Sequence, residues 1–166
     1  VSLCYFIGPV SQGLTLGGHD YQAATGLGRE QADYLAQSGE QTRWTNAVFS
    51  GMPTYQTAPS YKASHVLGFF SDIYALGTSG VVSYVFLYLL GFYILMRAFG
   101  FRPLLSVLGA VAWAFSSYFF IIITAGHIWK VLTLAFIPPT IAGLVLCYRG
   151  RLLWGGAVTA LFTAFQ

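Results

Sequence analysis

GVVSYVFLYLLGFYILM, residues 80–96, carries no charged side chain and is closed immediately by Arg97. At about 1.5 Å rise per residue, 17 residues extend roughly 26 Å as a helix, close to the hydrocarbon thickness of a bilayer. Three more blocks of the same character follow. Residues 104–125 (LLSVLGAVAWAFSSYFFIIITA) end at Gly126, a residue type that commonly terminates helices. Residues 131–147 follow the segment GHIWK, and a further run begins after Arg149-Gly150-Arg151. Upstream, residues 1–10 (VSLCYFIGPV) read as the exit end of an earlier span, left at Pro9 and Ser-Gln-Gly. The expectation is an all-α, polytopic transmembrane bundle of about five spans. Residues 11–79, too polar to cross, form a long external loop.

Composition points the same way. The chain of 166 residues is 56% hydrophobic and 17% aromatic but only 8% charged, where a soluble domain carries roughly 25% charged residues. Val1 begins without Met and Gln166 falls within an apolar run, so the chain is expected to be a piece of something longer. Cys4 and Cys147 have no metal-binding or disulfide spacing and read as small buried hydrophobes.

Charge placement orients the bundle. The turn after residue 96 holds Arg97 and Arg102, and the turn after 147 holds Arg149 and Arg151, with no acid in either. All five acids (Asp20, Glu30, Asp33, Glu40, Asp72) lie in the long loop. Arginine-rich turns stay in the cytoplasm, which places the loop and GHIWK outside, in a bacterium the periplasm. The net charge of +3 thus reflects topology and not nucleic-acid binding. Pro138 and Pro139 remove two amide donors from the fourth span, so that span is expected to kink and to face protein. Gly156, Ala160 and Ala164 recur every fourth residue, a stripe that lets a neighbouring helix approach closely. In the loop, Leu27, Gln31, Tyr34 and Leu35 line one face of a short helix over 26–39. Val66, Phe69, Phe70, Ile73 and Tyr74 line a second over 60–77, suited equally to the membrane interface or to packing under the loop.

Three clusters could carry chemistry. Asp20, in GGHDYQ, stands just outside the first span, where a lipid-borne phosphate would lie; it suits a general base or a metal ligand, or is a solvated loop acid. Arg43, Trp44, Asn46, Tyr55 and Gln56 combine aromatic planes with guanidinium and amide donors, as a sugar site does, or else close a compact loop on its own aromatics. His127 and Lys130, three residues apart, suit a phosphate or diphosphate, the alternative being that Trp129 and Lys130 anchor a helix end. No Walker loop, HExxH, Cys/His cluster or GxSxG elbow occurs. No acid lies within any span, which disfavours a proton-driven transporter.

RWTNAVFSGMPTYQ (43–56) and AFSSYFFIIITAGHIWK (114–130) resemble the bacterial YfhO-like membrane proteins, with FLYLLGFYIL (86–95) and residues 137–165 fitting the same pattern. That resemblance implies the GT-C superfamily of integral-membrane glycosyltransferases, with this chain as the N-terminal part of a longer member. Such enzymes take a polyprenyl-phosphate-linked sugar as donor and carry a catalytic acid in the first external loop. It aligns Asp20 with that acid, although His19 stands where the family shows Gly and Gln22 follows the acid more closely than usual. It aligns GHIWK with a Gly-His-x-x-Lys segment, here with Ile128 and Trp129 at positions that are usually more polar. The implied activity is sugar transfer to a cell-envelope acceptor. Asp20 is the base, Arg43, His127 and Lys130 are phosphate ligands, and Trp44, Asn46, Tyr55 and Gln56 line the sugar site. Both metal-dependent and metal-free designs place a lone acid there. The rival expectation is a non-catalytic membrane subunit or scaffold of a larger complex.

Overall fold

The chain folds mainly as helix, and the computed structural model describes residues 1–14, 18–57 and 80–165. Two single turns, α1 (Ser2–Tyr5) and α2 (Ile7–Ser11), precede the long α3 (His19–Ser38). A minimal antiparallel hairpin of β1 (Trp44–Thr45) and β2 (Met52–Pro53) runs into a 3-10 turn, Thr54–Thr57. The apolar part consists of α4 (Gly80–Ala98), α5 (Pro103–Ala114), α6 (Ser117–Ala125), α7 (Ile128–Tyr148) and α8 (Leu152–Ala164).

Helices α4 and α7 are each long and apolar enough to cross a membrane. Helices α5 and α6 qualify only as a pair, bent by 44° at a short break. The described residues therefore supply two crossings, or three if the bent pair is one, in place of the five expected. The difference lies at the two ends: residues 1–10 break at Phe6, and α8 is an apolar helix of 13 residues. The bundle's outer face is apolar, with Leu104, Leu108, Ile121, Leu153 and Trp154 all exposed. Water does not favour such a surface, and lipid does.

Two local expectations also change. Residues 104–125 do not form one straight helix: α5 stops at Ala114, and Ser116 takes an extended conformation as the N-cap of α6. Paired serines are a known place for a helix to bend. Conversely, α7 is assigned as one helix through Pro138 and Pro139, both buried. Pro139 cannot donate to the Ala135 carbonyl, and that carbonyl lies against Gly91 of α4, where a Cβ would sit 2.7 Å from its oxygen. The prolines thus face protein, as expected, and the missing side chain at Gly91 lets the two backbones close.

Nearby, the buried Tyr88 hydroxyl donates to the Val131 carbonyl at 3.0 Å and its ring stacks on Phe119 with centroids 4.2 Å apart. Phe92 and Trp113 stack similarly across α4 and α5. Between α7 and α8, Gly143 and Gly155 interlock: a Cβ on Gly155 would meet the Gly143 oxygen and the Cys147 nitrogen at 2.6 Å. The close-packing stripe is accordingly Gly155 and Thr159, not Gly156, Ala160 and Ala164. A helical residue turns by about 100°, so a shift of one position selects a different face. The expected stripe instead lines an open groove of about 520 Å³ with Leu144 and Thr163.

The ends of the bundle are distinct. Arg149 donates from Nη2 to the Phe99 carbonyl at 3.0 Å, which ties the two arginine-bearing turns together at one end. At the other end, α3 meets the start of α7.

Candidate functional site

Asp20 reaches the bundle because α3 begins earlier than its sequence suggests. The Gly17-Gly18-His19-Asp20 stretch reads as loop, yet from His19 the chain is already helical, and Gly26 and Gly28 do not interrupt it. Gly18 is the N-cap, and its backbone lies directly on Gly126: a Cβ there would fall 2.5 Å from the Gly126 Cα. Gly126 in turn ends α6 in the left-handed region, φ 90°, a conformation that glycine adopts without penalty. Two glycines therefore permit contact between backbones, and that contact aims the first turn of α3 at the first turn of α7.

The result is a paired acid and imidazole. His127 Nδ1 lies 2.9 Å from Asp20 Oδ2, and both side chains are half exposed. His19 Nδ1 stands 3.7 Å from the other carboxylate oxygen. With the carboxylate accepting an Nδ1–H, the imidazole is fixed in one tautomer and its Nε2 is left for a second partner. Asp20 is in the first turn of α3, and His127 is the N-cap of α7. Two helix N-termini therefore converge here, and their free amides and dipoles favour a negative charge.

Lys130 follows one turn into α7. Its ammonium lies 5.6 Å from the centroid of the Tyr118 ring. Tyr118 is near the start of α6, about 12 Å along that helix from Gly126. Lys130 thus reaches along α6 towards the bend, and does not extend out past the helix end as a snorkelling lysine would.

The aromatic cluster sits elsewhere. Its anchor is Glu30, which the sequence reading did not single out. The Glu30 carboxylate accepts from Thr45 Oγ1 at 2.6 Å, from the Asn46 amide at 2.8 Å and from Asn46 Nδ2 at 3.1 Å. These bonds, that from Thr45 foremost, hold the carboxyl below the usual glutamate pKa. Trp44 pairs with Pro53 and Thr45 with Met52. The indole of Trp44 donates to Asn46 Oδ1 at 3.3 Å and covers Gly51, whose φ is 117°. Phe49 and Ser50 share the left-handed region at φ 53° and 60°. A turn built from such residues persists only where its surroundings over-determine it, and Glu30 supplies that constraint. Arg43, Trp44 and Tyr55 are exposed, and the Gln56 side chain lies outside the described residues.

Glu30 is ten positions beyond Asp20, so the hairpin is about 15 Å further along α3. The structure thus brings Asp20 and His127 together, sets Lys130 one turn away, and holds Arg43, Trp44, Asn46 and Tyr55 as a separate unit on the same helix. On α3 itself the expected stripe is only partly covered, with Tyr34 and Leu35 exposed. The second expected loop helix, over 60–77, falls outside the described residues, as do Lys62 and Asp72. Among the described residues no group of three His, Cys, Asp or Glu side chains is arranged to hold a metal ion. No family model, curated protein or solved structure matches the chain.

Proposed function

We propose that this chain is part of a YfhO-like, GT-C-type glycosyltransferase, a multi-pass protein of the bacterial inner membrane. It moves a sugar from a polyprenyl-phosphate-linked donor to a cell-envelope acceptor on the external face. The observation that carries the reading is the Asp20–His127 pair, 2.9 Å apart at the meeting point of two helix N-termini. Asp20 and His127 act as one acid–base unit that takes the proton of the acceptor hydroxyl. The acceptor oxygen bonds to the sugar C1 as the bond from C1 to the phosphate oxygen breaks. The departing phosphate keeps the electron pair, and its charge is met by the free amides at the starts of α3 and α7. Arg43, Trp44, Asn46 and Tyr55, on their hairpin, receive the more distant part of a substrate.

The test is transfer of labelled sugar by the full-length protein in membranes. Asp20→Asn lowers turnover by roughly a hundredfold or more at normal expression, the usual scale for a lost acid–base group. Unchanged turnover removes Asp20 from the mechanism. The second reading is a non-catalytic membrane subunit or scaffold of a larger complex. It is favoured by the roughly 15 Å separation of hairpin and pair along α3, and by three hollows among the described residues that Asp20 does not line. On that reading the pair is a structural latch, and Asp20→Asn loosens α3 without any transfer to lose.

A further inference from the structure

The end of the bundle opposite Asp20 gathers positive charge that nothing among the described residues neutralises. Arg97 donates to the Phe101 carbonyl and Arg149 to the Phe99 carbonyl, so two guanidinium groups are fixed on one short turn, on carbonyls two residues apart. Arg102 closes the same turn as the exposed N-cap of α5, and Arg151 stands exposed just beyond Arg149. The ion pairs among the described residues all lie on α3 or at its contact with His127, and none involves these four arginines. Like charges held this close repel unless an anion sits among them.

A groove leads to that turn. Leu89, Leu90 and Tyr93 of α4, with Val107 of α5, line an apolar hollow of about 270 Å³ that Val1 and Ser2 of the N-terminal segment also border. Tyr93 is one turn from Arg97, and Val107 is about 7.5 Å along α5 from Arg102. Cationic head and apolar groove are therefore continuous on one helix pair. Phe99, Phe101, Tyr148 and Trp154 are exposed around the same end, as aromatic residues are at a membrane–water boundary.

We propose that this end of the α4–α5 pair is a binding site for an anionic phospholipid. The headgroup phosphate lies between Arg97 and Arg102, with Arg149 beside it, and an acyl chain lies in the groove. The charge complement commits the site to an anionic lipid: a zwitterionic headgroup brings its own cation and leaves the repulsion in place. The inference does not depend on the proposed transferase activity.

The experiment uses the full-length protein in neutral detergent, titrated with phosphatidylglycerol or phosphatidylcholine and read by native mass spectrometry and thermal unfolding. Phosphatidylglycerol binds preferentially, and its binding weakens as salt rises from about 50 to about 500 mM. Arg97→Gln with Arg102→Gln weakens it roughly thirtyfold, about five- to sixfold for each charge removed. Leu90→Trp, which keeps every charge and fills the groove, weakens it too, and so covers the case in which the arginine variants fold poorly. Arg29→Gln, on α3, leaves it unchanged. Equal uptake of the two lipids overturns the proposal. So does competition by free glycerol phosphate as strong as by the lipid, or a groove occupied by a second copy of the chain with no lipid bound.

Discussion

The α3–hairpin unit and the helix bundle are held by different forces. In the bundle, side chains are small where helices meet: Gly91 lies under the Ala135 carbonyl, and Gly143 and Gly155 interlock between α7 and α8. Lipid gives no hydrophobic reward for bringing helices together, so close packing and satisfied backbone groups must do it. In α3 and its hairpin, polar contacts dominate. One carboxylate, Glu30, organises the hairpin through three hydrogen bonds, and one acid–imidazole contact plus one glycine pair fastens α3 to the bundle. Shape specifies the first region and hydrogen-bond partners the second. A change of volume should break the bundle, and a change of partner should break α3.

The largest expected effect is in the bundle. Gly155→Leu inserts a side chain where even a Cβ meets backbone 2.6 Å away, and should destabilise the α7–α8 contact by about 3 kcal/mol or more. Gly156→Leu faces open space and should stay within about 0.5 kcal/mol. Thermal unfolding of the two variants in detergent measures the contrast; equal losses would mean that the helix face is assigned wrongly.

Next comes the joint between the regions. Gly18→Ala places a methyl group 2.5 Å from the Gly126 Cα, backbone that cannot move aside cheaply. It should cost about 2 kcal/mol of docking and raise hydrogen exchange over residues 18–30 while α4 and α7 stay protected. Exchange rising uniformly would instead show that the two regions unfold as one.

Tyr88→Phe removes a buried hydroxyl bonded to the Val131 carbonyl, for a loss of about 1 kcal/mol in the bundle and none at the hairpin. Last and most local is Glu30. Because its folded pKa is lowered, its contribution is present above the unfolded value and is lost as pH falls through the folded one, on the acid side of the ordinary glutamate range. Exchange protection of residues 43–54 should fall in that window. In Glu30→Gln it should be weak at every pH. A Glu30→Gln hairpin as well protected at neutral pH as the wild type would count against the Glu30 anchor.

How much of this could be read from sequence follows the same division. The membrane helices α4 and α7 were legible because twenty apolar residues in lipid have few alternatives to helix. The bend at Phe115–Ser116 was not, since the polar dip at Ser116, Ser117 and Tyr118 is short and serine is no strict breaker. The Gly155-Gly156 pair marks a small-residue face but gives no phase, so the stripe was read one residue out. The meeting of Asp20 with His127 was anticipated only as an arrangement that the functional reading required. Glu30 was missed because its partners lie 15 and 16 positions away, beyond any local pattern.

The central claim is that α3 docks with Asp20 against His127, and proximity in the membrane tests it most directly. In full-length protein with Cys4 and Cys147 replaced by Ser, Asp20→Cys and His127→Cys should join by a disulfide under mild oxidation in native membranes. Phe99→Cys with Arg149→Cys, at the far end, should be joined by a thiol cross-linker that spans the length of the lost arginine side chain, as a control. A control pair that links while the Asp20–His127 pair stays open would contradict the docking of α3, and with it the site.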